Sequence, residues 1–418
     1  MSNYLQAIAQ KLHLGEQPRQ NMIDVKRLIE QLDDAELLAA ADAYFAGLDL
    51  TSEQCHKPFS NVADAIHITR NLSLLLQAAD VFRGADVLDF GCATGWLSLA
   101  LADLGCNVVG VDIAPAAIRL AQTWCAQRGV RAGGAVEFRA YDGHQLPLAD
   151  SSVDIVVCFD AFHHVKDQLT TLKELARVLR PGGRIAMLEP GPRHSQMPQS
   201  QAEMAQYKVI ENDIVMTDIA AAAASLGLAE PRLLVQMHEP QEVSFNQYQQ
   251  WSSSGGLPKS DGAALLGTLQ RRLTDTQCFY LSKPGAGALM DSRRPTALAA
   301  DILLESAKPV RGDDSLLELI FLIQNTGEAV WISRHGALGQ VNLGCQLLHT
   351  DNAVKNLDYQ RFSIGSQDVR PGESRRLCIQ VTLPVEGAPV FRFDLVAENT
   401  AWFEQMGRCK PVTWRADS

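Results

Sequence analysis

Basic side chains are in deficit: 37 Lys and Arg stand against 48 Asp and Glu in 418 residues, a formal net charge of −11. Such a chain lacks the positive field that draws a phosphate backbone, so nucleic acid is excluded as the expected partner. Paired cysteines are missing too. Cys55, Cys92, Cys106, Cys125, Cys158, Cys278, Cys345, Cys378 and Cys409 are odd in number and contain no C-x-x-C, and they read as reduced, mostly buried thiols. No 18 consecutive apolar residues occur, and the first six residues show no basic segment followed by an apolar one. No membrane span or secretory leader is expected, and the cytoplasm is the expected compartment. Two nucleotide fingerprints are absent as well. There is no G-x-x-x-x-G-K-[ST], and a G-x-G-x-x-G begun at Gly91 fails at Ala93 and Trp96, which disfavours a P-loop nucleotidase and a nicotinamide dehydrogenase.

What is present is an ordinary globular composition, 46% hydrophobic and 20% charged, long enough for two or three domains. Residues 1–60 read as a helical cap, with Val25, Leu28, Ile29 and Leu32 on one face and a second helix from Asp34 to Gly47. From Asp86 onward, apolar runs of strand length (86–90, 107–112, 135–138, 153–159, 184–189) alternate with helical stretches. That alternation predicts a doubly wound, Rossmann-like α/β sheet over residues 61–285. Residues 193–275 should hold a substrate-facing insertion and last strands, with Thr217 capping a helix over 218–226 and a final strand at 277–282. A linker over 286–300 leads to residues 301–418, where Leu377, Ile379, Val381 and Leu383 alternate with polar neighbours. Turn signals at Asn325-Thr-Gly, Pro371-Gly-Glu-Ser and Glu386-Gly-Ala-Pro separate such runs, predicting an all-β sandwich.

Chemistry concentrates at the ends of the predicted strands. Val87-Leu-Asp-Phe-Gly-Cys-Ala-Thr-Gly95 is a strand running into a glycine turn and a helix, a shape that lets backbone approach a ligand closely. Asp112 closes a second strand about 20 residues later, where a carboxylate can accept two ribose hydroxyls or cap the next helix. Asp142, before Gly143, is either a ligand-binding acid or a turn aspartate. Asp160 ends the fourth strand ahead of Ala161-Phe-His-His164, and Leu179-Arg-Pro-Gly-Gly183 turns into the fifth.

These five elements, in this order, resemble class I S-adenosylmethionine-dependent methyltransferases, with Ala93 in place of the motif's middle glycine. The resemblance implies S-adenosylmethionine as cofactor. It places Asp89, Gly91, Ala93 and Gly95 beside the methionine part, Asp112 with Ile113 at the ribose, Asp142 with Gly143 at the adenine amino group, and Asp160 at the pocket rim. Methyl transfer needs an aligned acceptor, and a hydroxyl acceptor also gains from a general base. His163, Glu189 and His194 are the expected catalytic residues, His163 foremost as base or else structural. His164 is a weaker candidate, and Glu211 reads either as pocket wall or as a solvated helix face. Asp160, Glu189 and the histidines are metal-type donors, yet no ligand spacing supports an ion and none is expected.

The C-terminal stretches Gln324-Asn-Thr-Gly-Glu-Ala-Val-Trp331 and Phe393-Asp-Leu-Val-Ala-Glu-Asn-Thr-Ala-Trp-Phe403 resemble β-sandwich modules of bacterial polysaccharide enzymes and the glycan-recognising tail of O-antigen exporters. Lys57-Pro-Phe-Ser and Glu189-Pro-Gly-Pro-Arg-His-Ser resemble methyltransferases of surface-polysaccharide synthesis. A sugar of a surface glycan or its activated precursor is therefore the expected substrate; a small metabolite or lipid-linked intermediate is the alternative acceptor, and a non-catalytic glycan-binding or scaffold protein, against which Asp89, Asp112 and Asp142 argue, is the alternative role. The β-domain is expected to bind glycan, to form a homodimer or to dock on synthesis proteins, and Trp331 and Trp402 either stack on sugar or fill its core.

Overall fold

A computed structural model describes residues 22–131, 134–235, 245, 246, 249, 276–285, 290–336, 338–384 and 389–415. The chain divides into two compact units, one of residues 1–81 and 85–286, the other of 82–84 and 287–418.

Among the described residues, the first unit begins with two helices. In α1 (Val25–Gln31) the Asp24 carboxylate accepts from the Lys26 N–H. At the start of α2 (Asp34–Ala46) Asp33 accepts from the Glu36 N–H and Glu36 from that of Asp33, a reciprocal cap written in the sequence as D-x-x-E. The apolar face of α1 packs on Met204 and Ile210. The part of the expected cap that falls on residues 1–21 lies outside the described residues. A longer helix, α3 (Val62–Ala79), then leads to the sheet.

Strands β1 (Asp86–Phe90), β2 (Asn107–Asp112), β3 (Ala135–Ala140), β4 (Val153–Phe159) and β5 (Leu179–Pro190) are parallel. Helices α4 (Trp96–Asp103), α5 (Pro115–Arg128) and α6 (Gln168–Val178) alternate with them. With β6 (Arg232–Leu234) and β7 (Thr276–Ser282) the sheet order is β3-β2-β1-β4-β5-β7-β6, and β7 runs antiparallel to β5. This is the doubly wound sheet that the alternation predicts. Strand order reverses between β1 and β4, so the loops leaving their carboxyl ends diverge and open a crevice there.

After β5 come α7 (Pro198–Tyr207) and α8 (Met216–Ser225). Thr217 does not cap α8. The helix begins behind Val215, because burial of Ile214, Ile219 and Ala223 fixes its start two residues earlier than the cap signal suggests. Of the expected insertion over 193–275, residues 236–244, 247, 248 and 250–275 lie outside the described residues.

In the second unit, two antiparallel sheets share one core. Strands β9 (Ala300–Val310), β10 (Asp313–Asn325) and β14 (Ser374–Thr382) form the first sheet. The second is β13 (Val354–Ser363), β12 (Val341–Leu348), β15 (Val390–Ala397) and β16 (Ala401–Trp402), with β17 (Val412–Arg415) also on β15. Short strands β8 (Met290–Asp291) and β11 (Ala329–Val330) pair separately. Alternate residues Leu317, Leu319, Phe321 and Ile323 of β10 meet Leu343, Cys345, Phe391, Phe393 and Leu395 of the facing sheet. Each large apolar side chain so buried contributes roughly 1.5–3 kcal/mol. The expected linker over 286–300 needs correction where it is described, because Ala297, Leu298 and Ala300 belong to this core and β8 pairs with β11. Trp331 is fully buried edge-on against Phe403, so it cannot stack on a sugar. Trp402 is half-buried, with the Arg361 guanidinium 4.5 Å from its ring centre.

Candidate functional site

The turn after β1 is held by backbone geometry. Gly91 and Gly95 lie at φ +70° and +77°, and a Cβ on either would come within 2.5 Å of the Ala161 methyl or the Phe138 ring. Glycine is therefore required twice, for left-handed backbone and for close approach. Ala93 lies at φ 47°, left-handed without a glycine, a strain of about 1–2 kcal/mol. Asp112 helps to hold that strain: its Oδ2 accepts from the Ala93 N–H at 3.0 Å and its Oδ1 from the Ala114 N–H at 2.9 Å. Asp112 is not the cap of α5, whose N-cap residue is Ala114; its two backbone bonds use one lone pair on each oxygen, and a second remains on each.

Asp89 is buried, and its Oδ2 accepts from the Ser98 hydroxyl at 2.5 Å. Burial pushes its carboxyl up to about 7, with a smaller upward push from Asp112. Ser98 was not singled out from the sequence, although it is the lone hydroxyl in the apolar helix Trp96–Asp103, and that was its signal. Ile113 is half-buried beside Asp112. Asp142 is exposed, and its Oδ1 accepts from the His144 and Gln145 N–H groups, which hold its pKa below the usual carboxylate range. Gly143 follows at φ +84° with open space where a Cβ would stand. Asp160 is exposed at the end of β4, at φ 49°. Thr94 donates its hydroxyl to the Gln54 carbonyl at 2.7 Å, tying the segment before α3 to the glycine turn.

The histidines converge. Glu189, at the end of β5, is fully buried, and its carboxylate accepts from the backbone N–H groups of Ala161, Phe162 and His163 at 3.1, 2.9 and 3.3 Å. Burial nevertheless pushes its pKa up to about 7. His163 Nδ1 lies 2.8 Å from Glu189 Oε2. When Glu189 is ionised it only accepts, which puts the ring proton on Nδ1 and the lone pair on Nε2. His163 is buried as well, and desolvation, with His164 second, holds its pKa well below the ordinary histidine value. Its Nε2 is 3.9 Å from Glu211 Oε2, and that same oxygen is 2.7 Å from His194 Nε2. His164 turns aside to donate to the Ile210 carbonyl at 2.6 Å. Glu211 is not on a solvated helix face: it lies beyond α7, buried, where the three imidazoles lower its pKa against desolvation.

Residues 88–187 match the methyltransferase domain family. That span holds the glycine turn, Asp89, Asp112, Asp142, Asp160 and His163. The first unit therefore carries a methyltransferase domain of the class I fold, and S-adenosylmethionine is its cofactor. An uncharacterised 37.1 kDa transposon protein of Streptomyces fradiae is 31% identical over 173 residues, covering 39% of this chain and 48% of that protein. A ubiquinone biosynthesis O-methyltransferase of Bordetella avium is 33% identical over 113 residues, covering 27% and 45%. The chain thus spans just under half the length of these curated relatives. The solved YcgJ protein of Bacillus subtilis superposes with a TM-score of 0.36 at 20% identity, covering 52% of this chain and 100% of that one.

The residues present fit that cofactor. Asp89 is a buried acid that accepts from the Ser98 hydroxyl, with no cation bonded to it among the described residues, and the cofactor brings an ammonium and a sulfonium. Asp112 keeps two acceptor positions for a ribose diol. Bound there, the cofactor supplies an electrophilic methyl group. The Ala161–His164 turn leans on Gly91, which sets the histidine cluster next to the glycine turn.

Proposed function

We propose that this chain transfers a methyl group from S-adenosylmethionine to an acceptor hydroxyl, on a sugar of a surface polysaccharide or on its activated precursor. The observation that carries the reading is the Glu189–His163 contact beside the glycine turn. An alcohol is a poor nucleophile until its proton leaves. A buried imidazole oriented by a fixed carboxylate, with His194 and Glu211 facing it, is where that proton can go. In this reading Glu189 holds the ring, His163 and His194 face the acceptor, and Asp89, Asp112, Asp142 and Asp160 surround the cofactor. The named O-methyltransferase relative supports oxygen as acceptor. Lys57, half-buried and in the electrostatic reach of Asp160, is a cation suited to the phosphate of an activated sugar. The second unit is read as a glycan-binding or docking module, for which the pairing of Trp402 with Arg361 is the support.

A lipid-linked acceptor is the second reading. Phe59, Val62 and Ile66 are all strongly exposed at the start of α3, next to Lys57.

Calorimetry with S-adenosylmethionine tests the cofactor placement. Asp112→Ala should weaken binding by about 10–100-fold, the worth of one or two hydrogen bonds to a charged group; unchanged affinity would overturn it. Mass spectrometry of sugar nucleotides incubated with cofactor tests the reaction. His163→Ala should slow transfer by about 10²–10⁴-fold, and full turnover in that variant would remove His163 from the chemistry.

A further inference from the structure

We infer that the histidine cluster is a divalent-metal site, in which His163 Nε2, His194 Nε2 and the Glu211 carboxylate close on one zinc-type ion. This rests on the methyl-transfer reading above and deepens it, because the ion would hold the acceptor oxygen and activate it in place of His163, whose Nε2 lone pair would then be a ligand and no longer the base. It also runs against the sequence-based expectation that no metal is held.

Four features of the cluster point to an ion. The three donor atoms lie within 4.8 Å of one another. Ligands at about 2.0–2.2 Å around a tetrahedral ion stand some 3–3.5 Å apart, and the observed 2.7 Å and 3.9 Å separations from Glu211 Oε2 bracket that span. The donor set is two imidazoles and one carboxylate, the set that catalytic zinc sites use with a fourth position left open. The ring atom of His163 that does not face the cluster is bonded to Glu189, itself pinned by three backbone N–H groups. A carboxylate behind a histidine is how ligating imidazoles are oriented and their outer nitrogen kept basic. Lastly, Glu211 is buried, and its Oε1 accepts no hydrogen bond among the described residues: His164 Nδ1 stands 3.4 Å from it but donates to the Ile210 carbonyl. A buried carboxylate oxygen without a donor is costly, and an ion beside it would end that cost.

In the metal-free molecule a proton lies between His194 Nε2 and Glu211 Oε2. An ion would replace that proton, so binding should release protons and weaken as pH falls. With three protein ligands in place, a fourth position would be left for the acceptor hydroxyl. Coordination lowers the pKa of a bound hydroxyl, its proton passes to water, and an oxygen lone pair forms the new bond to the methyl carbon. The carbon–sulfur bond breaks as that bond forms, and its electron pair stays on sulfur, leaving a neutral thioether.

Cobalt(II) is the probe, because a tetrahedral site gives it visible absorption. Full-length protein stripped with a chelator and titrated with Co²⁺ should bind one ion per chain with that spectrum, and Zn²⁺ should displace it. His194→Ala and Glu211→Gln should lose the spectrum, Glu211→Asp should restore part of it, and Glu189→Gln should weaken binding by about 10–100-fold. Circular dichroism and cofactor calorimetry on each variant show whether it is folded. Absence of Co²⁺ binding by the wild-type chain, or an unchanged spectrum in folded His194→Ala and Glu211→Gln, would overturn the site. If chelator-treated enzyme also methylates at the full rate, the metal fails while methyl transfer stands; if the cofactor does not bind, the underlying reading fails whatever the metal does.

Discussion

A buried acid with a hydroxyl and no cation is poised by its surroundings. Asp89 holds its proton up to about pH 7 because burial disfavours the anion more than the Ser98 bond favours it. In the unfolded chain the same group titrates near 3.8, so between those values the folded state binds more protons. The stability Asp89 contributes is therefore complete below about pH 4 and lost as pH rises through about 7. Asp89→Asn removes this dependence. In urea unfolding at pH 5 and pH 8, the variant should gain on wild type by roughly 2–3 kcal/mol between the two conditions, at about 1.4 kcal/mol per unit of pH over which Asp89 titrates. Parallel behaviour of the two proteins would show that Asp89 is ionised throughout. Cofactor affinity should move the opposite way, since a cation beside Asp89 favours the anion and binding tightens as pH rises through 7.

The helical and sheet elements show which contacts a sequence can carry. The reciprocal cap of α2 is local, Asp33 to Glu36, and is written in four consecutive residues. The glycine turn and the positions of Asp89 within β1, Asp112 at the end of β2 and Asp142 after β3 are legible for the same reason: strand, turn and carboxylate follow one another along the chain. The start of α5 is different. Its N-cap residue, Ala114, has no side chain to offer, and the Ala116 N–H is met instead by Asp42 Oδ1 of α2 at 2.6 Å, 74 residues away. Nothing in the local pattern marks Asp42. The same holds for Glu211, whose place between three histidines depends on how the segment after α7 folds back on His163. From sequence Trp331 reads as either core or surface, because the alternation that reveals a sandwich strand does not say which tryptophan it points inward. Loss of the remote cap should cost about 1 kcal/mol. Asp42→Ala should lower the midpoint of thermal unfolding, and limited proteolysis should cut within residues 25–46 faster than in wild type. Equal cleavage rates would mean that α2 is held by its other contacts alone.

Across the whole molecule, the two units have separate cores and separate stabilising devices. In the second unit Asn325 is fully buried; its Nδ2 donates to the Ala329 and Val369 carbonyls at 2.8 and 2.9 Å, and its Oδ1 accepts from the Gly327 N–H at 3.0 Å. It therefore joins the end of β10 to β11 and to the segment before β14. In the sequence the same residue read only as the first position of an Asn-Thr-Gly turn. Replacing it with Ala takes one donor from each of two carbonyls, of which that of Val369 keeps the Trp331 N–H at 2.9 Å, and should cost about 1–3 kcal/mol. The cofactor acts on the other unit, where Asp89, Asp112 and the glycine turn lie. At a concentration 100 times its dissociation constant it should stabilise that unit by about 2.7 kcal/mol. If the units unfold separately, calorimetry of the full chain resolves two transitions, S-adenosylmethionine raising one and Asn325→Ala lowering the other. A single transition shifted by both would show instead that the cores unfold as one cooperative system, and that a ligand at the glycine turn stabilises the β-domain as well.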